Sequence, residues 1–187
     1  MILQEHLYID WVRHLIFDNP ALPLLLQAAD RPALDAFLIA LDQVVNRHDI
    51  LRTSVRWQGL SRAVQLVQRQ VTVPVQTLDV PVGQSAQAML SERMHPSRLW
   101  MDLTQAPLVR VDVAQDAVSG HWYALVMLHH LIDDNYSLDM VRAEIRACML
   151  GGQGALPAAV PYKGFVERAL AYEARGEAQA FFRQRLA

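Results

Sequence analysis

Leu128-His129-His130-Leu131-Ile132-Asp133-Asp134-Asn135-Tyr136-Ser137 is where an apolar run meets two histidines, an acidic turn and the start of another element. Residues 122–130 read as a strand, and polar groups concentrate where it ends. Successive strand side chains point to opposite faces, so His129 and His130 cannot both enter one cleft, and one of them is expected to be structural. The same divergence argues against a metal site built from the pair. No other His, Cys or acidic residue stands at a familiar zinc or iron spacing, so no metal is expected. The plain alternative is that both histidines are hydrogen-bonded core residues and that Asp133, Asp134 and Asn135 cap the next helix. Two imidazoles and two carboxylates beside an apolar strand are costly unless partnered, which tips the balance toward a functional site.

Outward from this stretch, residues 108–114 predict a second strand, joined to the first by a polar turn at 116–120. Residues 137–150 predict a helix, and a Gly-rich loop leads to a last helix over 162–186. Upstream, residues 85–94 have helical composition and stop near Pro96, and 73–80 read as a further strand. The segments 50–57 and 63–70 alternate around Gln58-Gly59-Leu60-Ser61 and predict a β-hairpin. The clearest amphipathic helix opens at Pro32, with Leu34, Phe37, Leu38, Leu41 and Val45 on one stripe and Asp35 and Asp42 off it. Before it, residues 22–28 form a short apolar run between proline and Asp30-Arg31-Pro32, which suits a strand. Residues 3–17 space apolar side chains at helical intervals. Helices and strands alternate without internal repeats or a dividing linker, so the expected class is α/β or α+β, with helices packed on a mainly central sheet, over one unit, residues 1–187.

The 187 residues are enough to bury a core without disulfide or metal staples. With 52% hydrophobic and 19% charged residues, the composition excludes a disordered chain. Lys plus Arg number 17 against 19 Asp plus Glu, and a net charge of -2 gives no field that would recruit nucleic acid. No apolar stretch approaches the roughly 20 residues of a membrane helix, and Met1 is not followed by a signal sequence. The single cysteine, Cys148, cannot form an internal disulfide, and a reducing cytoplasmic setting is expected. The composition is apolar enough that part of the surface is expected to meet a partner.

Three ordered segments resemble the condensation domains of nonribosomal peptide synthetases, whose signature is His-His, three residues, then Asp-Gly. Here it reads His129-His130-Leu131-Ile132-Asp133-Asp134-Asn135. Upstream, Arg47-His48-Asp49-Ile50-Leu51-Arg52-Thr53 is similar to the family's Arg-His-acid-x-Leu-Arg-Thr segment. Asp102-Leu103-Thr104-Gln105-Ala106-Pro107-Leu108-Val109-Arg110 resembles a third, in which Asp-Leu precedes a small residue, Pro-Leu and Arg. Tyr162-Lys163-Gly164-Phe165 resembles a segment that follows the histidine motif. The family's domain has two lobes and about twice this length, so the resemblance covers the amino-terminal lobe.

The resemblance implies a chloramphenicol acetyltransferase-like α/β sandwich, a carboxy-terminal lobe as partner, and donor and acceptor peptidyl carrier proteins. Their phosphopantetheine arms would bring thioesters into a tunnel between the lobes, with no cofactor bound directly. It implies amide-bond formation, with His130 as the catalytic imidazole and His129 turned inward. Asp134 aligns with the signature aspartate and is expected to hold the loop by pairing with Arg52, with Arg47 and His48 as weaker partners. Ser137 is expected to help start its helix. Asn135 stands where glycine is usual, and Asn is one of the few other residues that tolerate the left-handed region. Two further readings are a coenzyme A-dependent acyltransferase of the same superfamily and a noncatalytic carrier-docking module.

Overall fold

The segment Trp122–Leu128 becomes the central strand β6 of a four-stranded sheet in this computed structural model, which describes residues 21–61 and 63–176 together with Phe181, Arg183 and Arg185. The helix expected over 3–17 lies outside the described residues. The chain forms two compact units, Met1–Pro157 and Ala158–Ala187, each taken by itself below.

In the first unit β6 pairs antiparallel on one side with β1 (Leu22–Ala28) and on the other with β5 (Val109–Gln115). The registers Leu22↔Leu128 and Val109↔Leu128 bring both neighbours level with the end of β6. β4 (Val75–Thr77) lies parallel to β5 and completes the order β1-β6-β5-β4. Alternation divides the sheet into two apolar faces. Val109, Val111 and Val113 with Ala124, Val126 and Leu128 pack against α1 (Arg31–Arg47) and α3 (Asn135–Met149). Ala114, Leu125 and Met127 pack on the other face with Ala86 and Leu90 of α2 (Ala86–Glu92). β6 is thus sandwiched, which explains its unbroken apolar sequence. Each fully buried leucine of these faces contributes about 1.5–3 kcal/mol.

α1 starts where the sequence predicts it. Asp30 is the N-cap, accepting the Ala33 N–H at 2.8 Å, and Pro32 occupies the first turn, where its missing N–H costs nothing. Leu34, Leu41, Val44 and Val45 are buried from this helix. Its polar side has a structural task that the pattern does not announce. Asn46 donates to Val71 O at 2.8 Å and accepts from Val71 N at 2.9 Å, while Asp42 Oδ1 accepts from Val73 N at 2.9 Å. Side chains therefore take the place of a partner strand along 71–73. Since Pro74 has no N–H, ladder pairing begins only at Val75, and the strand expected over 73–80 shrinks to three residues.

A 3₁₀ turn, Asp49–Arg52, leads from α1 into β2 (Thr53–Arg56), which pairs antiparallel with β3 (Val64–Val67) as a separate two-stranded sheet. The expected hairpin is present but shorter than its alternating pattern. Gly59 at φ 72 supplies the positive backbone angle of its turn. Between β5 and β6, buried Asp116 accepts from Ser119 N at 2.9 Å and from Val118 N at 3.2 Å, and through its other oxygen from Ala86 N at 3.0 Å. These donors hold its carboxyl below the usual range, Ser119 N–H first. One aspartate thus closes the β5–β6 turn and fastens the start of α2.

The second unit contains α4 (Lys163–Ala174), with the Tyr162 and Phe165 rings stacked at 5.5 Å. The sequence predicts one helix over 162–186. The described helix stops before Gly176, which has φ 67, a frequent way for a helix to end.

Candidate active site

The pairing that makes β6 central also delivers the two histidines. His129 follows the last strand residue and still donates its backbone N–H to Leu108 O at 3.0 Å, so the chain leaves the sheet only after it. Ile132 N bonds back to His129 O at 3.0 Å and closes the turn, with the Ile132 side chain buried in the core facing α1 and α3. His129 is 2% exposed, whereas His130 is exposed. The opposite placements expected from strand alternation are found.

His129 Nδ1 accepts the Leu131 backbone N–H at 3.1 Å. An amide N–H can only donate, so Nδ1 is unprotonated and the neutral ring carries its proton on Nε2. Burial, and after it the neighbouring His130, pushes the His129 pKa down to about 4. His129 is a neutral, inward-locked imidazole at physiological pH.

The acidic turn is organised by the first turn of α3. Asp134 is the N-cap: Ser137 N donates to Asp134 Oδ1 at 2.8 Å and Asp134 N donates to Ser137 Oγ at 2.7 Å, a reciprocal capping box. The Ser137 N–H is the main reason the Asp134 carboxyl lies below its ordinary value. Ser137 Oγ also stands 2.7 Å from both Asp133 Oδ1 and Asp134 Oδ1. A hydroxyl has one proton to give, and Asp134 Oδ1 already receives an amide, so Asp133 is the carboxylate in need of it. Asp133 is half-buried, and burial raises its carboxyl above the usual range against the lowering effect of Ser137.

Two sequence expectations are corrected here. Arg52 does not pair with Asp134. Its guanidinium donates to Asp49 Oδ1 at 2.6 Å, to Asn46 O at 3.1 Å and to Gln68 O, tying the end of α1 to the β2–β3 hairpin. Asp49, three residues away, satisfies Arg52 locally, and the helix N-terminus satisfies Asp134, as the plain capping alternative allowed. Asn135 is the first residue of α3, and no non-glycine residue among those described has positive φ. The left-handed tolerance of asparagine is therefore not called upon.

Arg47 and His48 meet a residue that sequence reading did not single out. Glu144 Oε2 lies 3.0 Å from Arg47 Nε and 2.7 Å from His48 Nε2, joining the end of α1 to the middle of α3. Arg47 also donates to Pro157 O. An acid at 144 gives no local sign of partners almost a hundred residues earlier. Among the described residues no three His, Cys, Asp or Glu side chains converge as a metal-binding group, and no helix is long and apolar enough to cross a membrane.

A family model for the condensation domain matches residues 21–187. Malpinin synthetase of Mortierella alpina is 38% identical over 159 residues, covering 84% of this chain. Tyrocidine synthase 3 of Brevibacillus parabrevis is 32% identical over 131 residues, or 70% of this chain. The chain spans 2% of the length of each of these two synthetases. Among solved structures, the X-domain in complex with OxyB from teicoplanin biosynthesis aligns at TM-score 0.70 and 22% identity, covering 90% of this chain and 38% of that one. The cyclization-docking bidomain EpoB from Sorangium cellulosum aligns at TM-score 0.66 and 20% identity, over 88% of this chain and 32% of the other. The mixed α/β unit is thus one lobe of that fold.

Proposed function

The chain belongs to the condensation-domain family, and on that premise we propose that it is the amino-terminal lobe of an amide-forming acyltransferase that works on carrier-bound thioesters. The observation that carries the reading is the division of labour within the histidine pair: His129 is neutral and locked inward, while His130 is exposed at the end of the central strand.

In the proposed reaction the amine nitrogen of an acceptor aminoacyl thioester attacks the carbonyl of a donor thioester. The new C–N bond forms, the C–S bond breaks, and the departing thiol carries away the proton that the amine gives up. His130 is assigned to that proton or to a hydrogen bond with the tetrahedral intermediate. General-base work contributes about 10²–10⁴-fold, and holding two tethered substrates in register contributes as much or more. Asp134 and Ser137 act by fixing the first turn of α3, which holds the His130 loop from its far side. Arg52 has no part in the site and holds the junction of α1 with the β2–β3 hairpin. A carboxy-terminal lobe and two carrier proteins with phosphopantetheine arms are the partners assigned, with no cofactor held by the chain itself.

The test is to combine the chain with the second lobe and supply carrier-bound donor and acceptor thioesters, then the same acyl groups on coenzyme A. Amide product from carrier-bound substrates alone supports the reading. Equal turnover of coenzyme A thioesters would move the assignment to a soluble-substrate acyltransferase. Carrier binding without product would make the lobe a docking module.

A further inference from the structure

His130 sits on a turn between two elements that are held in different ways. β6 is paired along both edges. α3 takes up the other end of the turn through the Asp134–Ser137 capping box, and it buries Leu138, Val141 and Ile145. Apolar contact is non-directional, whereas a hydrogen-bonded carboxylate fixes both distance and angle.

Glu144, in the middle of α3, supplies such a fixed point. Its Oε2 accepts from Arg47 Nε at 3.0 Å and from His48 Nε2 at 2.7 Å, and all three side chains are largely buried. A carboxylate can only accept, so His48 carries a proton on Nε2. The two donors are consecutive residues at the end of α1, an end already anchored by the paired bonds of Asn46 to Val71. Arg47 donates to Pro157 O as well, so the chain that follows α3 is held by the same guanidinium. One oxygen thus ties α3 to a frame that does not itself belong to the His130 turn. A slide of α3 by about an ångström would strain both bonds at once. Glu144 lies ten residues from the cap, roughly 15 Å along the helix, and a helix of this length carries a displacement from one end to the other as a rod.

We propose that Glu144 is a positioning residue of the His130 site, holding α3 against the end of α1 so that the capping box presents the His130 turn at one place. The inference rests on the condensation reading, in which His130 must meet a reacting amine and a misplacement of about an ångström costs up to about 100-fold in rate.

The test is the kinetics of amide formation by the two-lobe protein. Glu144 Oε1 has no hydrogen-bond partner among the described residues, so Glu144→Gln can set its carbonyl oxygen in the place of Oε2 and its NH2 group in the open position. That variant should keep kcat within about threefold of the parent. Glu144→Ala removes the bridge and should lower kcat about 10–100-fold with KM for both carrier-bound substrates unchanged, the mark of misplaced chemistry and not of lost binding. Glu144→Asp keeps the charge on a side chain one methylene shorter, should fall between the two, and decides the matter if Glu144→Ala does not fold. Ser85→Ala removes the N-cap of α2 on the other face of the sheet. It should melt below the parent yet keep the parental kcat, which separates positioning from a general loss of stability.

Parental kcat in Glu144→Asp and in a folded Glu144→Ala, a loss carried by KM, a Glu144→Gln as slow as Glu144→Ala, or an equal kcat loss in Ser85→Ala would overturn the proposal. Any of these alongside lost turnover in His130→Ala leaves the condensation assignment intact. If no amide forms even in the parent, the condensation assignment fails and this inference falls with it.

Discussion

Arg52 and Asp134 show what a motif conveys about single residues. Both stand in segments that resemble the family, yet each is satisfied by its own neighbourhood, Arg52 by Asp49 and Asp134 by Ser137. A double-mutant cycle on Arg52 and Asp134 should therefore be additive to within about 0.5 kcal/mol, whereas Arg52 and Asp49 should couple. Asp134→Ala should lower the melting temperature by roughly 2–4 °C, the scale of a lost helix cap. Thermal unfolding of the single and double variants checks both. His129 makes a separate pH prediction. Its pKa of about 4 in the folded chain lies below the ordinary 6.5, so between those values the unfolded chain binds more protons. Stability should be level above pH 6.5 and fall as the pH drops toward 4, by about 3 kcal/mol over the window. The depressed carboxyls of Asp134 and Asp116 lose their contribution only at lower pH, as they protonate. Denaturant titrations across this range should show the slope in the parent and a flatter profile in His129→Gln.

At the scale of elements, α1 binds its surroundings through both of its sides. Asn46 replaces a strand partner for Val71, so Asn46→Ala leaves an amide and a carbonyl unpaired and should cost about 1–3 kcal/mol. Hydrogen exchange should show the loss at Val71 and Val73 first and leave the β1–β6 ladder protected. The same helix shows how much of the fold was legible. β1, α1 and β6 follow from apolar period and from punctuation by Pro and Asp, signals carried by neighbouring residues. The shortened β4 was legible only in part: Pro74 stands in the sequence, but the Asp42 and Asn46 side chains that take up Val71 and Val73 come from a helix some thirty residues earlier. The capping box at Asp134 was half legible: Ser137 was expected to start the helix, whereas it is the third residue within it and closes the box. Glu144, whose contacts are entirely long-range, gave no sign.

For the whole molecule, apolar side chains left in water bear on what the lobe meets. Tyr136 is 78% exposed and Met140 44%, one turn apart on α3 beside the His130 turn, and Leu66 and Val67 are exposed on β3. The second lobe proposed above would cover side chains of this kind. Among residues of the signature, the fold sets His130 outward, while His129 and Asp134 are consumed by the chain itself. The measurement that bears most directly on the account is single-turnover amide formation in the two-lobe protein, comparing the parent with His130→Ala. The account predicts that His130→Ala loses turnover by about 10²-fold or more while melting at the temperature of the parent, because an exposed ring contributes little to the fold. Full turnover in His130→Ala would contradict it.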